Sequence, residues 1–185
     1  MKNLFVLGLV VALTPVVGVG EELKSGPQAG DSLGAFYVVK CAGAEDDGVA
    51  EGKNLCYRCR NGAKPQVLVF TRSIDPKVIE FIQQLDKAIT KNAESKLTGF
   101  VNVLGEDKDD ASAVAKKLAR KSKTTHVPFV VPNESENGPD NYGINPKAAV
   151  TIILASELGV KANYAVADVK DLKTKAIIAD LKKIL

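Results

Sequence analysis

The sequence lacks several features that identify common classes of protein. Its 25 basic and 22 acidic side chains are well mixed, and only 5% of the residues are aromatic. Without a basic block interleaved with aromatic residues, nothing indicates a nucleic-acid partner. A phosphate-binding glycine loop, a serine-nucleophile elbow and a helix with paired histidines are also missing. The chemistry of the protein therefore has to be sought elsewhere, in a small number of residues.

Long apolar runs are missing after the first 20 residues. The N-terminus has Lys2, an apolar stretch over residues 4–13 and the small-residue sequence Gly18-Val19-Gly20, a pattern typical of a secretory signal peptide cleaved after Gly20. An uncleaved anchor helix is the alternative, although the stretch is short for a membrane span and Pro15 follows it. We therefore expect an exported protein, periplasmic or extracellular, with no stable membrane span after cleavage.

The sequence predicts that the mature part of the chain is one domain. The sequence is 45% hydrophobic and its mean hydropathy is zero, which suits a single globular unit with a proper core. Residues 21–33 contain Gly26-Pro27 and Gly30 and are predicted to be a flexible lead-in. The domain itself is expected over residues 34–185.

The hydrophobic pattern predicts an α/β domain with a mixed central β-sheet flanked by helices. Helices between the earlier strands require parallel crossovers, whereas the tight turn at residues 157–159 requires an antiparallel pair. Asp75-Pro76, Asp109-Asp110 and Asp168 are the predicted helix starts. The predicted strands cover residues 35–41, 66–71, 99–104, 127–131, 148–155 and 160–167, and the helices cover 76–92, a segment from 109, and 169–185.

Cysteine is scarce, and two of the three cysteines form a Cys-x-x-Cys, Cys56-Tyr57-Arg58-Cys59. In an oxidising compartment three cysteines usually mean one disulfide and one remaining thiol. Cys56 and Cys59 are the obvious pair, but Cys41 could be the partner of either, because connectivity does not follow from sequence. The turn signal Asn61-Gly62 and the following Lys64-Pro65 predict that the pair lies on an extended segment or hairpin, not at a helix start.

Three stretches of the sequence carry a resemblance to a known family: Gly30 to Val39, Gln66 to Asp75, and Tyr142-Gly143-Ile144 followed by Ala148 to Leu154. They resemble the thioredoxin-like superfamily in its exported redoxin or peroxiredoxin-like form. The resemblance implies a thioredoxin-like fold with an additional N-terminal strand or hairpin. It also implies where a redox site would stand, in the loop after the first core strand.

The chain departs from the family pattern at both of its signature positions. Residues 71–75, Thr-Arg-Ser-Ile-Asp, stand where the family has its reactive cysteines, and Val150 precedes Thr151 where the family has a cis-proline. A cis bond before a residue other than proline costs about 3 kcal/mol, so we expect a trans bond there. Cys56 and Cys59 are left as the thiol candidates.

Thiol–disulfide exchange with a protein substrate is the catalytic interpretation of this pair. One sulfur would attack a substrate disulfide to form a mixed disulfide, the other would resolve it, and Arg58 and Arg60 would favour the thiolate. Either cysteine could be the nucleophile, since Cys56 follows the family habit whereas Cys59 lies between the two arginines. The rival interpretation is a non-catalytic interaction module in which the disulfide is structural.

A third interpretation is a metal site. Cys56 and Cys59 have the spacing of half a zinc site, which Cys41 and His126 could complete. Only one Cys-x-x-Cys exists, and an oxidising compartment disfavours reduced thiolates, so we expect neither a metal nor a cofactor. The sequence does not indicate an oligomeric state.

Overall fold

The structure is a computed structural model that describes residues 23–185. The signal peptide expected over residues 1–20 lies outside the described residues. Between residue 23 and the C-terminus, no helix combines the length and the apolar character needed to cross a membrane.

One seven-stranded sheet forms the centre of the described chain, with its helices packed on it. The strands are β1 (Val38–Ala42), β2 (Asn54–Leu55), β3 (Gln66–Thr71), β4 (Thr98–Val103), β5 (Phe129–Pro132), β6 (Val150–Ser156) and β7 (Gly159–Val166). The α-helices are α1 (Tyr57–Asn61), α2 (Pro76–Lys91), α3 (Lys108–Ser122) and α4 (Thr174–Ala179).

The strand order is β2-β1-β5-β4-β3-β6-β7. β3, β4 and β5 are parallel neighbours, and every other pairing is antiparallel. The mixed sheet predicted from the helix and turn pattern is therefore confirmed. β1 and β2 form the additional N-terminal hairpin, in which the two-residue β2 is an edge strand that the sequence pattern missed.

α2 and α3 begin at residues whose side chains cap them. Asp75 accepts a hydrogen bond from the Lys77 N–H at 2.8 Å, and Pro76 occupies the first helical position of α2. α3 begins earlier than predicted, because Asp107 is its cap and accepts the N–H groups of Asp109 and Asp110. Those two residues lie in the first turn, where negative charge suits the helix dipole.

The single closing helix predicted over residues 169–185 is wrong. The segment is a 3₁₀ turn (Val169–Asp171), then α4, then a second 3₁₀ turn (Asp180–Lys183). Asp168 does cap the first turn, through the Lys170 N–H. The helix is interrupted at Leu172, whose extended backbone buries its side chain in the core.

The two faces of the sheet are buried by different kinds of structure. α2, α3 and α4 pack on one face over mainly aliphatic side chains. The other face is covered by α1, by the segment around Leu33 and by the turn at Asp140–Tyr142. Its centre is an aromatic cluster in which the ring centroids lie 4.8–6.1 Å apart, a range in which aromatic pairs attract. We define the aromatic cluster as Phe36, Tyr57, Phe70, Phe100 and Tyr142.

The lead-in predicted to be flexible is packed against the domain in its described part, residues 23–33. The buried Ser25 hydroxyl is hydrogen-bonded to the Thr151 hydroxyl at 2.6 Å, and the Gly26 N–H donates to the Gly143 carbonyl. Leu33 is buried beside the aromatic cluster. Residues 23–33 are therefore part of the packed domain, and Leu33 belongs to the core on which α1 packs.

Replacing Phe100 with alanine is expected to destabilise the protein strongly. Its ring is fully buried in β4 between Phe36 and Tyr57, so truncation opens a cavity and should cost about 3–5 kcal/mol. Tyr37, which is 58% exposed, provides the control, and Tyr37→Ala should change the free energy of unfolding by about 0.5 kcal/mol or less. Urea titrations measure both, and equal losses would contradict this packing.

Candidate functional site

A disulfide joins Cys56 and Cys59 at the start of α1, with their Cα atoms 5.2 Å apart. Cys56 is the N-cap, and its Sγ accepts a hydrogen bond from the Cys59 N–H at 3.0 Å. The prediction that the pair lies away from a helix start is therefore wrong. A helix of five residues is too short to show periodicity, and Gly62, read as part of a hairpin turn, is instead the C-cap with φ of +61°.

The two sulfurs have different surroundings. Cys56 is 8% exposed, whereas Cys59 is exposed on the first turn of α1. A reactant arriving from solvent can therefore approach Cys59, while Cys56 lies beneath it with an N–H group already directed at its sulfur. Neither the spacing nor the flanking arginines indicate this asymmetry in the sequence.

Tyr57 fixes α1 to the body of the protein. Its ring stacks on Phe100 with centroids 5.6 Å apart, and its hydroxyl donates to Asp47 Oδ2 at 2.6 Å. Burial, reinforced by the Asp47 carboxylate, raises the pKa of Tyr57 above its ordinary value, so the hydroxyl remains a donor. The residue next to Cys56 is thus held on both its ring and its hydroxyl.

The arginines predicted to favour a thiolate make backbone contacts. Arg58 is half-buried and donates to the Leu33 carbonyl, and Arg60 donates to the Asp47 carbonyl at 2.6 Å. Within residues 23–185, neither guanidinium is hydrogen-bonded to a cysteine sulfur. Their effect on the thiolate would therefore act through the electrostatic field and not through a hydrogen bond.

Cys41 is a separate, buried thiol. It lies on β1 in the core beneath α3, where the Ser112 hydroxyl donates to its Sγ at 3.4 Å. Burial raises the pKa of the Cys41 thiol. Tyr57, the neighbour of Cys56, belongs instead to the core on the other face of the sheet.

The zinc alternative has no support in the described chain. From residue 23 onward, no group of three or more histidine, cysteine, aspartate or glutamate residues is placed to hold a metal ion. His126 lies just before β5, and its backbone N–H donates to Asp86.

Residues 71–75, where the family resemblance would place reactive cysteines, are held by hydrogen bonds within the loop and to neighbouring segments. The Thr71 hydroxyl lies between Ser73 and the Ala149 carbonyl, and Arg72 donates to the Glu136 carbonyl and to Asn137. The expected trans geometry before Val150 is present, since residues 23–185 contain no cis peptide bond. This loop follows the carboxyl end of β3, whereas α1 ends against Gln66 at the amino end of that strand.

Two residues of the site, Lys40 and Asp47, were missed in the sequence. Lys40 is 2% exposed on β1, and its ammonium is paired with Asp47 Oδ1 at 2.8 Å. Asp47 in turn receives the Tyr57 hydroxyl. A lysine inside the apolar run Val38-Val39-Lys40-Cys41 was the available signal, because a buried ammonium requires an acidic partner.

Cys41 should react slowly with thiol reagents in the native protein. With Cys56 and Cys59 joined, it is the one titratable thiol, and its burial and raised pKa both suppress the thiolate. Its reaction with a chromogenic disulfide at pH 8 should be at least roughly tenfold slower than in the same protein unfolded in guanidinium. Equal rates before and after unfolding would contradict the placement of Cys41 in the core.

The fold is shared with redox proteins of known structure, although no family model and no curated protein matches the sequence. A thiol-disulfide oxidoreductase from Bacteroides fragilis superposes with a TM-score of 0.56 at 18% identity, over 84% of this chain and all of that one. A peroxiredoxin-like protein from Aquifex aeolicus gives 0.53 at 15% identity, over 90% and 91%. The 1-Cys peroxiredoxin of yeast mitochondria gives 0.56 at 9%, over 84% and 75%. Together with the sheet order, these matches show that the chain has the thioredoxin-like fold.

Proposed function

We propose that the protein is an exported thiol–disulfide exchange protein that works through Cys56 and Cys59, with Cys59 as the sulfur that meets the substrate. The observation that carries the proposal is the unequal exposure of the two cysteine residues on one helical turn. The signal-peptide pattern at the N-terminus supports export, where such exchange is needed. Redox proteins of known structure share the fold, which is consistent with exchange at Cys56 and Cys59.

Exchange would start at the exposed sulfur. A substrate thiolate attacks Cys59 Sγ, the Cys56–Cys59 bond breaks, and Cys56 leaves as a thiolate. A second substrate thiolate then attacks the substrate sulfur of the mixed disulfide and releases Cys59, so that the substrate gains a disulfide and the protein gains two thiols. In the reverse direction, Cys59 attacks a substrate disulfide and Cys56 resolves the mixed disulfide.

The N-cap hydrogen bond supports the role of Cys56 as the leaving and resolving sulfur. The Cys59 N–H at 3.0 Å stabilises negative charge on Cys56 Sγ, and a better leaving thiolate makes opening of the disulfide faster. α1 has only five residues, so its macrodipole is small, and the Cys59 N–H is the group that contacts Cys56 Sγ directly. Arg58 and Arg60 would add a positive field around both sulfurs.

A structural disulfide in a non-catalytic interaction module is the second candidate. The observation that favours it is the position of the pair, which precedes β3, while the loop at the family's usual site has no cysteine. In that case the fold would be a scaffold for another function, and the disulfide would only hold α1 and the edge hairpin.

Trapping of a mixed disulfide distinguishes the two sulfurs. In a Cys41→Ser background, reduced Cys56→Ser should form a mixed disulfide with oxidised glutathione rapidly, because the exposed Cys59 remains. The matched Cys59→Ser variant should react at least roughly tenfold more slowly, since its only thiol is buried. Intact mass spectrometry of acid-quenched samples gives both rates.

Turnover tests whether the exchange is catalytic. The Cys41→Ser protein should oxidise a reduced dithiol peptide or reduce insulin, and adding either Cys56→Ser or Cys59→Ser should abolish that activity.

Two outcomes would contradict the proposal. If the two single-cysteine variants were trapped by glutathione at the same rate, the assignment of Cys59 would be contradicted. If the parent protein had no activity in either direction, the structural alternative would hold.

A further inference from the structure

The loop between β1 and β2 is folded around a buried positive charge. Lys40 Nζ donates three hydrogen bonds of 2.8 Å, to the Ala44 carbonyl, to Asp47 Oδ1 and to the Val49 carbonyl. An ammonium has three N–H donors, so all of them are used. The Val49 N–H also donates to Asp47 Oδ1, at 2.7 Å. The side chain of Lys40 therefore fixes residues 44–49 relative to β1.

This loop also holds α1 at two residues, each directly after a cysteine. Asp47 Oδ2 accepts the Tyr57 hydroxyl at 2.6 Å, and the Asp47 carbonyl accepts an Arg60 N–H at 2.6 Å. Asp47 is thus hydrogen-bonded to Lys40 and to the residues that directly follow Cys56 and Cys59. We call Lys40, Asp47 and Tyr57 the tether.

A one-turn helix needs such support. Forming a first helical turn is unfavourable in isolation, because several residues are fixed for few hydrogen bonds. While the disulfide is closed, the covalent bond itself keeps Cys56 and Cys59 close together on the helical turn. After reduction, only contacts such as the tether and the stacking of Tyr57 on Phe100 keep α1 wound. The distance between the two thiols in the reduced protein then depends on these contacts.

We propose that Tyr57 and Asp47 are positioning residues that hold the reduced Cys56 and Cys59 in the geometry from which the disulfide closes. Well-placed thiols have a high effective concentration, which favours closing. The tether therefore makes the disulfide harder to reduce and speeds the resolving step. This proposal deepens the exchange function proposed above. Only its catalytic meaning rests on that function, because the reduction equilibrium of the Cys56–Cys59 disulfide can be measured whether or not the pair is catalytic.

The equilibrium to be measured is reduction by a low-molecular-weight thiol. Two glutathione molecules transfer two electrons and two protons to the disulfide, which yields the Cys56 and Cys59 thiols and one glutathione disulfide. Tyr57→Phe removes the hydroxyl that reaches Asp47 and keeps the ring on Phe100, so the variant is expected to fold. In a Cys41→Ser background, the constant for closing should fall about tenfold, which corresponds to a potential about 30 mV less negative.

Tyr164→Phe is the matched control. The Tyr164 hydroxyl also donates to a carboxylate, that of Asp180, but it lies beside the aliphatic core on the face of α2, α3 and α4. Its loss should leave the potential of the Cys56–Cys59 couple unchanged. A shift of equal size in the two variants, or no shift in Tyr57→Phe, would overturn the proposal.

Unfolding in each redox state gives a second measurement. Without the tether, the reduced protein can relax by unwinding α1, whereas the disulfide form cannot. Tyr57→Phe should therefore lower the stability of the oxidised protein more than that of the reduced protein, and Tyr164→Phe should lower both equally. Equal losses in Tyr57→Phe would overturn the proposal.

Failure of the exchange function would be visible separately. If the parent protein exchanged with no substrate but Tyr57→Phe still shifted the potential, the positioning role would stand and the catalytic function would fall. If exchange were observed and the potential did not move, the positioning role would fall and the catalytic function would stand.

Discussion

The charge of Lys40 is the constraint around which the candidate site is organised. An ammonium that is 2% exposed is costly unless an anion and further acceptors surround it. The chain meets this requirement by folding residues 44–49 back over β1, which places Asp47 beside the lysine. The second oxygen of the same carboxylate then holds Tyr57, and with it the helix that carries both cysteines. The buried charge of Lys40 is thus linked, through Asp47 and Tyr57, to the helix that carries the disulfide.

The thioredoxin-like fold is present here without cysteines at its usual redox position. The loop after β3 is closed by Thr71 and Arg72, and a hydroxyl pair between Ser25 and Thr151 lies near it. The cysteines belong instead to a helix inserted before β3, which is fixed by a loop and by stacking on Phe100. The cysteine pair can lie away from the loop at residues 71–75 because α1 packs on the aromatic face of the sheet through Tyr57. This packing does not depend on that loop.

Long periodic elements were predictable from the sequence, and short ones were not. α2 shows a complete apolar stripe behind Asp75-Pro76, so its bounds agree with the structure to within one residue. α1 has one turn and no such stripe, and its C-cap Gly62 carries the same signal as a hairpin turn. The break at Leu172 depends on tertiary burial, which no local pattern records. The tether pairs Lys40 with Asp47, seven residues away, through a contact made only in the folded protein, so neither residue could be assigned to the site from the sequence.

The reduction potential of the Cys56–Cys59 couple in the Cys41→Ser protein tests the account most directly. Equilibration in glutathione buffers, followed by acid quenching, thiol trapping and mass spectrometry, gives the value. A catalytic pair at an exposed Cys59 predicts a potential between about −120 and −270 mV, the range of exchange proteins. A potential below about −300 mV is typical of structural disulfides and would contradict the proposed exchange.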